Sequence, residues 1–305
     1  MEVNELQNFL KVFNGNSDLI TQHYYDSLVI ESRLIDSDLS DITLDFCGHR
    51  YATPVMLGVI GGWGQMGEKA LFNSAEAARQ LDTVLWVSSY ALKDNKLEKL
   101  IATGAKIGYV CKPHRDQLVF LNELKRVSNT GIVAVAVDID HAYGSDGEYD
   151  KHGGGDFGPK SVAQLKEAVE VLSVPLFTKG VLSVHDALKS REAGCAGCFI
   201  SHHHNIIKSA IPPVMILPQI REAVGDEFTL IVDCGIKTGV EAFKALALGA
   251  EAVCVARGYM PHLVKEGTEG VVSYINKVTG ETRELLNRTG SKDLKSIDPG
   301  VIHRL

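Results

Sequence analysis

The chain has 305 residues, 45% of them hydrophobic and 23% charged, which is typical of a globular protein that buries its core without disulfides. Its net charge of −7 argues against a broad nucleic-acid-binding surface, which would need a clustered basic face. A local phosphate pocket is still allowed, because one Lys or Arg and a few backbone N–H groups suffice for it.

The first 52 residues do not share the repeating pattern of the rest of the chain. They predict a helical segment and then a short strand pair, Ile42–Phe46 and His49–Tyr51, around Cys47-Gly48. The N-terminus has no charged segment followed by an apolar one, and no run of 18 apolar residues occurs. We therefore expect neither a signal peptide nor a membrane span.

From about Thr53 onward, short apolar runs alternate with longer amphipathic segments. Each run is continuous and rich in Val, Ile or Leu, as expected for parallel strands buried on both faces. The eight predicted strands are Pro54–Ile60, Thr83–Ser88, Lys106–Cys111, Ile132–Asp138, Val174–Lys179, Gly197–Ser201, Thr229–Asp233 and Ala252–Ala256. The predicted helices are Leu71–Leu81, Asn95–Thr103, Asp116–Ser128, Ser161–Leu172, Val184–Gly194, Val214–Val224, Val240–Gly249 and, after Gly258, Glu269–Leu286.

Repeated strand–helix units indicate a parallel sheet. Eight of them favour a closed (β/α)8 TIM barrel of the α/β class over the alternative, a doubly wound open sheet. We predict one barrel domain over residues 1–305, with residues 1–52 as a short N-terminal extension. The segment Tyr143–Gly158, rich in Gly, Asp and charge, follows the fourth strand and is interpreted as a mobile lid, with a disordered surface loop as the alternative.

Active sites of such barrels lie at the carboxyl ends of the strands, so the residues found there are the candidates. Ile60-Gly61-Gly62 would let backbone approach a flat ring, and Ser88 would offer a hydroxyl. Asp138 and Lys179 end the fourth and fifth strands, where a buried charge needs a partner.

The last three strand ends predict a base and a phosphate site. Ser201 is followed by His202-His203-His204, which cannot all converge on a metal without a bend, so we expect one general base and no metal site. Asp233–Gly239 and Ala256-Arg257-Gly258 supply Gly N–H groups, Lys237 and Arg257 where barrels commonly bind phosphate.

Six cysteines lie mostly inside the apolar runs. Cys195 and Cys198 form a C-x-x-C pair, but no second pair is near, so buried free thiols are favoured over zinc or redox use. Free thiols indicate a reducing cytoplasm.

Four segments together resemble the flavin-dependent α-hydroxy acid oxidase and dehydrogenase family. Phe177-Thr178-Lys179-Gly180-Val181-Leu182-Ser183 with Asp186-Ala187 is similar to its V-K-G-V-x-x-x-x-D-A segment, and Ile200-Ser201-His202-His203 is similar to V-S-N-H. Asp233-Cys234-Gly235-Ile236-Lys237-Thr238-Gly239 resembles D-G-G-V-R-x-G, and residues 243–250 resemble K-A-L-A-L-G-A. The resemblance covers roughly Pro54 to the C-terminus.

The resemblance implies FMN as cofactor and a small-molecule substrate, with a possible homotetramer by analogy. The implied flavin contacts are Ile60, Gly61, Gly62, Ser88, Lys179, Ser201, Asp233, Gly235, Lys237, Ala256 and Arg257, the last group holding the ribityl chain and phosphate. His203 matches the base that removes the hydroxyl proton while hydride passes to flavin N5, and Asp138 matches the carboxylate that orients it. Lys179 matches the cation that stabilises the reduced flavin.

The chain departs from the family at the substrate. The position of the arginine that holds the substrate carboxylate is Ile206, a second arginine has no counterpart in the loop after the fourth strand, and the tyrosine of the third strand is interpreted as Cys111. Tyr24 or Tyr25 would supply the N-terminal tyrosine. The possible substitutes for the arginine are His202, His204, Lys208 and Arg115.

Two other functions stay open beside oxidation of a 2-hydroxy acid or related CH–OH compound. One is a flavin-dependent isomerase, which shares a Gly-Gly after the first strand but lacks the Lys179 and His203 segments. The other is a flavin-binding protein without catalysis, which would need neither Asp138 nor His203.

Overall fold

The computed structural model of the chain describes residues 15–60, 63–67, 69–92 and 95–305. Gly61 and Gly62, two of the predicted flavin contacts, lie outside the described residues. Eight parallel strands close into a barrel in which the last pairs with the first, so the predicted TIM barrel is confirmed. These strands are β4 (Val55–Leu57), β5 (Val84–Ser88), β6 (Lys106–Cys111), β7 (Ala134–Asp138), β8 (Leu176–Val181), β9 (Gly197–Ile200), β10 (Thr229–Val232) and β11 (Ala252–Val255).

Each predicted helix is present, including the one expected in the N-terminal segment. They are α1 (Ser17–Asp26), α2 (Ala70–Leu81), α3 (Lys96–Ile101), α4 (Gln117–Ser128), α5 (Val162–Val171), α6 (Val184–Glu192), α7 (Pro213–Val224), α8 (Gly239–Ala247) and α9 (Met260–Arg288). Helix α9 begins at Met260 rather than at the predicted Glu269, because it continues through Gly267, whose φ of 62° interrupts the helical pattern.

Outside the barrel, β1 (Leu28–Ile30) pairs with β12 (Ile302–Arg304), which joins the two ends of the described chain. The predicted strand pair forms as β2 (Leu44–Phe46) and β3 (His49–Tyr51), and Phe46 packs against Phe177 inside the barrel with ring centroids 5.5 Å apart. The hairpin therefore closes one end of the barrel.

The barrel interior is filled by an aromatic layer of Trp86, Phe177 and Phe199, with the rings of Trp86 and Phe199 4.8 Å apart. Since alternate side chains of a strand point to the same side, Ser88, Lys179 and Ser201, two residues further on, stand above this layer at the opposite end. The hydrophobic floor thus sets the depth of the candidate site.

The six cysteines are free, all buried except the half-buried Cys47, as predicted. No helix in the described part of the chain has the length and apolar character to cross a bilayer.

Candidate active site

Lys179 lies at the centre of the open end of the barrel and is almost fully buried. Its Nζ is 3.2 Å from Asp138 Oδ1 and 3.8 Å from Asp233 Oδ2. Burial alone would lower the pKa of Lys179, but the surrounding carboxylates outweigh it and raise the pKa. The ammonium therefore stays charged at any working pH.

Asp138 sits between two ammonium groups. Its Oδ2 accepts a hydrogen bond of 2.7 Å from Lys112 Nζ, while Lys179 Nζ forms an ion pair with the other oxygen, Oδ1. Burial raises the pKa of Asp138, but the charges of Lys112 and Lys179 outweigh this and hold it well below the ordinary value. Lys112 is thus part of the buried charge network that contains Lys179.

His203 is hydrogen-bonded to Asp140, not to Asp138. His203 Nδ1 lies 3.0 and 3.2 Å from the Asp140 carboxylate oxygens and 3.8 Å from Asp138 Oδ1. The pKa of Asp140 is lowered because the nearby His203 outweighs the effect of burial. The strand ends at Asp138, and the following turn places Asp140 closer to the imidazole than Asp138, so the orientation of His203 by Asp138 stays a prediction.

The turn that carries the histidines is strained. His203, His204 and Asn205 have backbone φ values of 45°, 53° and 66°, which residues other than glycine adopt at a cost in free energy. As expected, the three rings do not converge: His202 faces Thr21, His203 faces Asp140, and His204 faces Asp18.

Among the described residues, one other combination of groups brings potential metal ligands together. Asp138, His141 and His203 each place a ligand atom within 4.8 Å of the others. However, two ammonium groups already compensate the charge of Asp138, and His141 is hydrogen-bonded to Asp150 at 2.7 Å. The arrangement therefore favours proton transfer over metal binding.

The segment Tyr143–Gly158, predicted as a lid, contacts residues that follow two of the barrel strands. Tyr143 bridges to Tyr149, Tyr90 donates a hydrogen bond of 2.8 Å to the carbonyl of His152, and Phe157 is buried. These contacts and the hydrogen bond of 2.7 Å between His141 and Asp150 hold the segment beside the strand ends, and its role as a mobile lid stays a prediction.

The predicted phosphate residues are only partly available. Gly235 has a φ of 84°, and a Cβ there would lie 2.8 Å from side-chain atoms of Thr21 and Tyr25, so α1 packs directly on it. Arg257 forms a bidentate salt bridge with Asp18 of α1, and both N–O distances are 2.8 Å. Lys237 is exposed, and no ion pair of its ammonium occurs among the described residues.

The four proposed substitutes for the substrate arginine have other surroundings in the described part of the chain. His202 and His204 face α1, Lys208 is exposed, and Arg115 pairs with Asp156 at 3.3 Å. Tyr25 is buried against Gly235, and Arg304 stacks over Tyr24.

Sequence reasoning missed Lys112. Cys111, interpreted as the equivalent of the family's tyrosine, points into the core between the barrel and the helices. The side chain that reaches Asp138 is that of the next residue, Lys112. Strand alternation carried the signal, because Val110 lies in the inner core and Lys112 follows it by two residues.

The ring-binding part of this site fits a flavin. Lys179, Ser88, Ser201 and Asp233 surround one end of the barrel with a fixed positive charge and polar groups. Ile60 and Ala256 are buried or half-buried at the neighbouring strand ends. At the phosphate end, by contrast, Asp18 pairs with Arg257.

Comparison with known proteins identifies the class. The sequence model of the FMN-dependent dehydrogenase family matches residues 20–169 and 156–304, which is nearly the whole chain. The chain belongs to this family. It is therefore an oxidoreductase that acts on CH–OH groups, with FMN as its cofactor, as the sequence motifs indicated.

Individual relatives are distant. The chain is 24% identical to glycolate oxidase of Spinacia oleracea over 300 residues, and the alignment covers 87% of this chain and 81% of that protein. L-lactate oxidase of Lactobacillus jensenii is 35% identical over 149 residues, which is 48% of this chain but only 36% of that protein. A solved structure of mandelate oxidase with (S)-2-phenylpropionate superposes with a TM-score of 0.87 at 23% identity, covering 99% of this chain and 93% of that one, and supports the fold.

Proposed function

We propose that the chain oxidises a 2-hydroxy acid or a related CH–OH compound, with His203 as the base that removes the hydroxyl proton. The observation that carries the proposal is the hydrogen bond between His203 and the buried Asp140, next to the buried Lys179. A carboxylate on Nδ1 fixes the imidazole and stabilises it once it has accepted a proton on Nε2. Pure flavin binding would need neither group.

FMN, when bound, supplies the acceptor for the hydride that leaves the substrate carbon. Lys179 then contributes a permanent positive charge near the ring, held in place by Asp138 and Asp233. Ser88 and Ser201 offer hydroxyl groups to polar ring atoms, and Asp233 offers a carboxylate to the ribityl hydroxyls. These roles rest on the positions of the residues at the strand ends.

We also infer that Lys112 takes the place of the missing substrate arginine. A single carboxyl group, that of Asp138, separates its ammonium from the His203 ring, so a molecule as small as a 2-hydroxy acid can reach both. Lys112, Tyr90 and His114 are among the residues that line a cavity of about 500 Å³. An ammonium has three donors and Asp138 accepts one, which leaves capacity for a carboxylate.

Lys112→Met tests this role. We expect kcat/KM for a 2-hydroxy acid to fall at least tenfold, since a hydrogen bond to a charged group contributes about 1.5–3 kcal/mol. The matching 2-hydroxy amide, which has no charge to bind, should lose much less. The measurement is anaerobic bleaching of the flavin with acid and amide pairs of several chain lengths.

Arg115→Met removes an exposed cation near the same strand end and should leave the preference for acid over amide unchanged. If Lys112→Met slows acid and amide equally, Lys112 supports Asp138 rather than the substrate. If no 2-hydroxy acid bleaches the parent protein and an uncharged alcohol does, the substrate class itself is wrong.

The cofactor is open to a direct check. One phosphate pocket and no second nucleotide motif predict FMN rather than FAD. Acid should therefore release a flavin with the mass of FMN, and a mass of FAD would contradict the assignment.

Location and assembly are proposed on separate observations. The buried free thiols support a reducing cytoplasm. A homo-oligomer, a tetramer by family analogy, is supported by the strongly exposed Leu34, Ile35 and Leu39 in one short segment. Sedimentation of the purified protein measures its oligomeric state.

A further inference from the structure

Asp18, in the first turn of α1, is the centre of a polar cluster at the predicted phosphate site. Its two oxygens pair with Nη1 and Nη2 of Arg257, both at 2.8 Å. The same carboxylate accepts hydrogen bonds from His204 and, at 3.1 Å, from Asn205 Nδ2. All of these partners follow strands whose ends build the flavin site.

This arrangement is the one that a phosphate would use. Arginine binds carboxylates and phosphates with the same pair of parallel N–H groups, so the two anions compete for one guanidinium. Burial would raise the pKa of Asp18, but the hydrogen bonds from His204 and Arg257 hold it well below the ordinary value. Asp18 is therefore an anion at every pH at which FMN would bind.

Helix α1 is anchored around Asp18 by several bonds to the loop after β9. Ser17 Oγ donates to the carbonyl of Ile207 at 2.6 Å and accepts from the amide of Ala210 at 2.9 Å. Thr21 lies 3.0 Å from His202 Nε2 and also packs on Gly235. Asp18 therefore cannot move far from Arg257 without disturbing the first turn of α1.

We propose that Asp18 competes with the phosphate of FMN for Arg257, so that the first turn of α1 lowers the affinity of the chain for FMN. A bound phosphate and the Asp18 carboxylate would repel each other at one guanidinium. Binding of the phosphate then includes the cost of parting Asp18 from Arg257. The proposal concerns the cofactor and holds for any substrate.

Asp18→Asn and riboflavin give a direct test. The full chain, freed of flavin, is titrated with FMN and with riboflavin, which lacks the phosphate, and binding is followed by quenching of flavin fluorescence. Asp18→Asn should bind FMN about tenfold or more tightly than the parent, because a charge-assisted pair at Arg257 no longer has to be broken. Riboflavin affinity should not change.

Two variants control for this. Asp26→Asn makes the same charge change on the exposed far end of α1 and should leave both affinities as they are. In an Arg257→Ala background, the gain from Asp18→Asn should disappear, since the shared partner is gone.

The competing interpretation is that Asp18 orients Arg257 toward the phosphate. In that case Asp18→Asn binds FMN more weakly, which overturns the proposal, as does an equal change for FMN and riboflavin or no change at all. If Asp18→Asn does not fold, hydrogen exchange of the parent decides instead. Residues 17–26 should exchange faster with FMN bound than with riboflavin bound, and equal protection would contradict the competition.

Discussion

His203→Ala is expected to slow reduction of the flavin by substrate at least ~10²-fold while the flavin stays bound, because a positioned base contributes about that factor or more. The hydroxyl of a 2-hydroxy acid is a poor acid, so its proton needs an acceptor that is basic near neutral pH. The structure offers His203 in this position, with Asp140 at 3.0 Å on Nδ1. Stopped-flow bleaching under anaerobic conditions measures the rate.

Two substitutions separate the base from its surroundings. Asp140→Asn should give a smaller loss than His203→Ala, because the imidazole remains but loses the carboxylate that orients it and supports its charge. His202→Gln changes the adjacent ring, which faces Thr21, and should leave the rate close to that of the parent. A His203→Ala protein that bleaches at the parental rate would mean that another group takes the proton.

The barrel could be predicted because its pattern is local. Each strand is a continuous apolar run bounded by polar residues or glycine, and β6 even has the predicted bounds, Lys106–Cys111. Since parallel strands bring their carboxyl ends to one side, Asp138, Lys179 and Asp233 were expected at the same end of the barrel. A carboxylate oxygen of each aspartate lies within 4 Å of Lys179 Nζ.

The sequence is least informative where strand periodicity stops. Asp138 and Asp140 are two residues apart and would share one face of an extended strand. The chain instead turns at Ile139, and this turn moves Asp140 to His203 while Asp138 remains with the two lysines. Sequence alone could not choose between the two carboxylates.

Asp18 was missed for a different reason. Its contact with Arg257 joins residues 239 positions apart, and no local motif marks Asp18 as a partner of the last barrel strand. Only the packing of α1 on Gly235 and on the loop after β9 brings them together. Contacts of this kind depend on tertiary structure rather than on spacing.

Lys179→Met should destabilise the fold as well as the site. The substitution leaves Asp233 without a salt bridge among the described residues, and Asp138 keeps Lys112 as its remaining ammonium partner, with His203 3.8 Å away. Breaking a buried ion pair by removing one partner costs about 3–5 kcal/mol, a large part of the roughly 5–15 kcal/mol that stabilises a typical domain. We expect a clearly lower urea midpoint, measured on the flavin-free chain so that loss of cofactor binding does not contribute.

Adding Asp138→Asn to Lys179→Met should recover part of this loss, because the neutral amide no longer needs a second cation, and the double-mutant cycle measures the coupling. Lys208→Met makes the same substitution at an exposed position and should change the free energy of unfolding by no more than about 0.5 kcal/mol. If Lys179→Met unfolds at the parental urea concentration, the carboxylates have taken up protons or water at little cost. The positive charge of Lys179 would then be needed for the flavin alone and not for the fold.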